Sequence, residues 1–115
     1  MPLTPEINAI LEKAETQGLF KALLSQLNKD FLRAGIVENF DLHTIIKHTG
    51  RNLVAAIYAL IISDFERYLN LLYVIDIDEA AIKAMPIQRV DELAQGVSIL
   101  ILQRELAKVT LKNRP

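Results

Sequence analysis

The chain has 115 residues, the length of one domain, and at 51% apolar and 23% charged it is hydrophobic enough to bury a core and too apolar for disorder. Its net charge of −1 provides no clustered cationic excess of the kind that phosphate neutralisation needs, so nucleic acid is not an expected partner. The absence of cysteine excludes disulfides, thiolate metal sites and cysteine nucleophiles.

A mean hydropathy of +0.24 agrees with a well-filled core. With 4 glycines and 4 prolines, two of the latter within the first five residues, the composition favours helix and argues against a β-rich fold. The opening MPLTPEINAI has neither a basic segment nor an apolar run, so no signal peptide is expected. The longest uncharged apolar runs, Leu53–Ile62 and Val97–Leu102, fall well short of the ~20 residues that span a bilayer. A cytoplasmic protein without membrane insertion is the expectation.

Thr4-Pro5-Glu6 is a helix start, because a threonine cap, a proline at the first position and an early glutamate each suit the free amides. Ile7, Ile10, Leu11 and Ala14 follow at helical spacing, and Gly18 ends this first helix. A second helix is predicted from Leu19 to Ala34, with Leu19, Leu23, Leu27 and Phe31 on its apolar face and Gly35 as the C-terminal cap. Asp41 caps a third segment, Leu42–Thr49, and Gly50 is either a turn or a tolerated glycine before the next helix.

Arg51 to Ile75 contains neither glycine nor proline and reads as one central helix, roughly 37 Å long at about 1.5 Å per residue. The run Val74–Ile77 weakens helix propensity, Asp78 caps a short helix over Glu79–Ala84, and Pro86 breaks it. A long last helix spans Arg89 to Leu111, with Asp91 and Glu92 in its first turn and Lys108 near its end. The predicted architecture is therefore one all-α domain, a bundle of four to five helices around the central and C-terminal helices.

Helical projection isolates one carboxylate. Asp64 shares a face with Leu53, Ile57, Leu60, Tyr68 and Leu71, and Arg104 lies inside an apolar stripe of the last helix. A charge at such a position calls for a partner, and Arg104, Arg67 and Tyr68 are the candidates for Asp64. An Asp64–Arg104 pair joining the two long helices is expected, with Asp64, Tyr68 and Arg104 as the candidate ligand-binding residues around an interhelical pocket. No catalytic residue, metal ligand set or cofactor site is predicted. Asp76, Asp78 and Glu79 lack the glycine and the final glutamate of a calcium loop, and His43 and His48 are five apart, on different helix faces. The cluster Lys47, His48 and Arg51 precedes a helix too apolar to enter a DNA groove.

The segment Asp64-Phe65-Glu66-Arg67-Tyr68-Leu69-Asn70-Leu71-Leu72-Tyr73, followed by Asp76-Ile77-Asp78-Glu79, resembles a motif of small uncharacterised bacterial all-helical proteins. Gln103-Arg104-Glu105 and Lys108 fit the same motif. The resemblance covers about a quarter of the chain. It implies a helical fold in which the two motif-bearing helices pair, and it carries no activity, cofactor or catalytic residue with it.

Two long helices, each apolar on two sides, are hard to cover with the remaining residues. A homodimer, or a protein partner, is the expected remedy, and the sequence reads as a non-enzymatic interaction module. A small-molecule-binding bundle, or an enzyme, with its pocket near Asp64 is the alternative.

Overall fold

Residues 3–86 and 89–113 are described by the computed structural model. They form six helices in chain order: α1 (Pro5–Thr16), α2 (Phe20–Arg33), α3 (Ile46–Ser63), α4 (Phe65–Ile75), α5 (Glu79–Lys83) and α6 (Val90–Lys112). No strand occurs among the described residues. The chain is an all-α bundle with a long C-terminal helix.

Helix α6 is the organising element. It packs against α1, α2, α3 and α4 and buries Ala94, Val97, Ile101, Leu102 and Val109 among others, while Gln103, Ala107 and Leu111 lie on its exposed side. A helix that is apolar around most of its circumference has to be covered on several sides. Here its neighbours within the chain supply that cover. Pro86 falls within the break that separates α5 from α6, as expected, and residues 87 and 88, just before α6, lie outside the described set.

The expected central helix, 51–75, is divided in the structure. Asp64 has φ −153° and ψ 68°, which ends α3 and starts α4 without a glycine or proline. Its side chain accepts a hydrogen bond from Arg67 N at 3.3 Å, so it acts as the N-cap of α4, with Glu66 in the first turn. Serine and aspartate bond readily to nearby backbone and favour caps over helix interiors. The pair Ser63-Asp64 thus sets the break.

At its other end α3 begins earlier than expected. Of the segment predicted over 42–49, residues 42–44 form a turn, with Asp41 Oδ1 accepting from His43 N at 2.9 Å, and residues 46–49 are the first turn of α3, which starts at Ile46. Gly50 lies inside α3 and is buried because α1 passes close by: a Cβ there would meet Ile7 Cγ2 at 3.0 Å and Leu3 Cδ1 at 3.2 Å. Close helix approach, not a turn, accounts for this glycine.

Thr4 stands before Pro5 at the start of α1 without a side-chain capping bond, and the remaining caps read from sequence match. Gly18 (φ 72°) and Gly35 (φ 81°) take the left-handed conformation after α1 and α2. Ile36 N closes the end of α2 by donating to Phe31 O at 2.9 Å. Asp78 caps α5, accepting from Ala80 N at 2.9 Å. The turn after α4 is made by Asp76 at φ 70°, one of the residue types that tolerates this region.

Candidate functional site

The three residues predicted to share a site do not converge. Asp64 has its side chain 35% exposed, pairs with Arg67 Nη1 at 2.5 Å, and has no bond to Arg104. Hydrogen bonds from the Arg67 guanidinium and backbone hold the Asp64 carboxyl below the usual carboxylate range. Arg67 in turn donates from Nε to the Gly35 carbonyl at 2.9 Å, which ties the start of α4 to the end of α2. Arg104 pairs instead with Asp76, at 3.2 Å. The expected Asp64–Arg104 bridge is therefore absent: Asp64 pairs with Arg67 three residues on, and Arg104 reaches from α6 to Asp76 at the end of α4. The reason is the break at Asp64, which turns this carboxylate into a cap.

Of the three, Tyr68 lines an apolar cleft beside α4, while Arg104 lines a separate open cleft next to Asp76. The first is an apolar groove of about 610 Å³ between α4 and α5, floored by Leu93 at the start of α6. From α4 come Phe65, Leu69, Leu72 and Tyr73, and from α5 comes Ile82. Tyr68 is 3% exposed and its ring lies 5.2 Å from that of Phe65. Burial pushes its phenol upward, so it is a neutral wall of the groove.

Along this flank Phe65 is 52% exposed, Leu69 49% and Tyr73 88%. These residues recur four apart, the spacing that aligns side chains along one helix face. The rim carries charges of both signs, Asp76 and Glu79 against Lys83. Among the described residues no cluster of three or more metal-ligating side chains occurs. The lining of the groove is mostly apolar.

A second group of residues, none predicted as a site, lies where α2 meets α6. Asp30 and Glu105 are both fully buried, and Lys108 Nζ sits 3.1 Å from Asp30 Oδ2 and 3.0 Å from Glu105 Oε1. Gln26 Nε2 donates to both Asp30 oxygens, at 3.2 and 3.1 Å, and Lys112 Nζ donates to Gln26 Oε1 at 2.6 Å.

The two carboxyls meet through the Lys108 ammonium that touches both, and apart from that contact the buried Glu105 oxygens have no hydrogen-bond partner. Burial, and after it the neighbouring Asp30 carboxyl, pushes Glu105 up to about 8 against a weaker downward pull from Lys108. Burial also raises Asp30, but its neighbours Glu105, Gln26 and Lys108 outweigh it and leave this carboxyl below its ordinary value.

A sequence signal for this cluster exists. Asp30 continues the face of Leu23 and Leu27, and Glu105 stands four residues from both Ile101 and Val109. Each is a charge at a core position, as Asp64 also seemed to be. Comparison with protein-family models, with curated proteins and with solved structures finds no match to the chain.

Proposed function

We propose that the protein is a non-enzymatic helical interaction module that acts as a homodimer, with the α4 flank and the α4–α5 groove as the contact surface. The observation that carries this reading is the row of exposed apolar side chains Phe65, Leu69 and Tyr73 beside an open apolar groove. Single exposed apolar residues are ordinary on a protein surface, whereas a contiguous row against a groove marks an interaction site.

A second copy of the chain is the occupant that the patch suits best. A two-fold contact needs a surface complementary to itself. Leu69 stands midway between Phe65 and Tyr73, so antiparallel pairing about Leu69 sets each Phe65 opposite the partner's Tyr73. The rim has both acids and a lysine, so opposite charges are available to meet across such an axis. A patch rimmed by one sign alone would repel its copy.

Light scattering on the chain at rising concentration tests the reading. A mass of about 26 kDa, twice the 13.0 kDa chain, is expected, and Leu69→Glu is expected to return a folded 13.0 kDa monomer. A monomer throughout the concentration range, or a dimer that Leu69→Glu leaves intact, overturns it.

One observation favours the alternative of a small apolar ligand, namely that a volume of about 610 Å³ lies within the usual range of ligand pockets. Against it, the groove has no buried polar anchor, and Asp64 and Arg104 lie outside its lining.

A further inference from the structure

We propose that Glu105 is a proton-operated latch: as a carboxylic acid it joins α6 to α2 by donating its proton to Asp30, and loss of that proton lets α2 open. This inference is separate from the docking surface, since no member of the Asp30 cluster lines the α4–α5 groove.

The argument is one of charge count in a closed place. Glu105 and Asp30 are 0% exposed and face each other from adjacent helices. A substrate has no access to them, so a catalytic role is excluded. With the proton in place, the cluster holds one neutral acid, one carboxylate and the Lys108 ammonium that touches both, and the buried charges cancel. Without it, two carboxylates share one ammonium. Buried charge without a full partner is costly, and here separation of α2 from α6 is the motion that hydrates both oxyanions.

Among the described residues no cation besides Lys108 pairs with Glu105. Arg33 pairs with Asp30 alone, at 3.6 Å and from a side chain that is 59% exposed, and Lys112 is bonded to Gln26. The charged side chains of α1 (Glu6, Glu12, Lys13, Glu15), of α3 (Lys47, His48, Arg51) and of α4 (Glu66, Arg67) are all exposed. So are Lys21 and Lys29 of α2. On α6, Asp91 and Glu92 pair with Arg89, and Arg104 pairs with Asp76. Helix α2 is the element suited to move, because the chain enters and leaves it through turns at Gly18 and Gly35. The raised titration of Glu105, at about 8, puts the release close to neutral pH.

Amide hydrogen exchange between pH 5 and 9, corrected for the intrinsic rate, tests the latch. In the wild type the opening constant of amides in α2 is expected to rise by up to about tenfold per pH unit as far as about pH 8 and then level off. Amides of α3 are expected to show no such rise. Glu105→Gln should flatten the α2 profile, since an amide still donates to Asp30 and has no acidic proton to lose. A flat wild-type profile, an α3 rise in step with α2, or an undiminished slope in Glu105→Gln overturns the proposal.

Carboxyl NMR on the wild type keeps the test decisive if that variant does not fold. A Glu105 midpoint well above 4.5 is expected, and one in the ordinary carboxylate range refutes the latch.

Discussion

Helices α4 and α6 both read as too apolar for a single-sided surface helix, yet they meet water in opposite ways. Four neighbouring helices pack on the broad apolar side of α6, and Glu105 is sealed in there with the apolar residues. In α4 one face, formed by Tyr68, Leu71 and Ile75, is buried, while Phe65, Leu69 and Tyr73 remain in contact with solvent. Surplus apolarity in a sequence is thus two different signals. In α6 it marks the centre of the fold, and in α4 it marks a surface with room for a partner.

The largest effect expected from this contrast is at Lys108. Replacing it by methionine keeps much of the stem's volume and removes the ammonium shared by Asp30 and Glu105. Breaking a buried ion pair in this way costs roughly 3–5 kcal/mol, to be read from urea unfolding at pH 7. A loss well under 1 kcal/mol would show that the cluster is hydrated and that the two helices differ less than their burial indicates.

Next in size is the pH dependence of global stability. The unfolded chain releases the Glu105 proton near 4.5, whereas the folded chain keeps it up to about 8. The folded state therefore binds more protons in this window, and stability falls as pH rises through it, at roughly 1 kcal/mol per pH unit at most. Asp30 acts in the other direction. Its folded value lies below 3.8, so its contribution is present above that pH and is lost on further acidification. Denaturation midpoints should therefore be highest between these limits, and Glu105→Gln should remove the loss on the alkaline side.

The smallest effect is expected on α4. Leu69→Ser is predicted to change monomer stability by no more than about 0.5 kcal/mol, as is usual for exposed positions. Unfolding measured at a concentration low enough to give monomer checks this. A large loss there would mean that the α4 flank is covered within the chain after all.

The helix starts at Pro5, Phe20 and Glu79 and the stops at Gly18 and Gly35 were legible because local backbone chemistry decides them. The break at Asp64 was legible too, in the cap residues Ser63-Asp64 followed by Glu66, but the apolar run on either side concealed it. Once the break was missed, Asp64 appeared to be a core charge in need of Arg104. The charges that do lie in the core, Asp30 and Glu105, sit at equivalent helical positions and differ from Asp64 only in what packs over them.

Composition and helical periodicity by themselves determined that this chain is an all-α bundle with a long C-terminal helix, because those properties depend on residues close in sequence. Tertiary structure alone decided that α6 and not 51–75 lies at the centre, that Gly50 is a point of close approach, and that Asp30 meets Glu105. It also decided which apolar face stays open. Each of these depends on which helices become neighbours, and the periodicity of one helix carries no record of its neighbour.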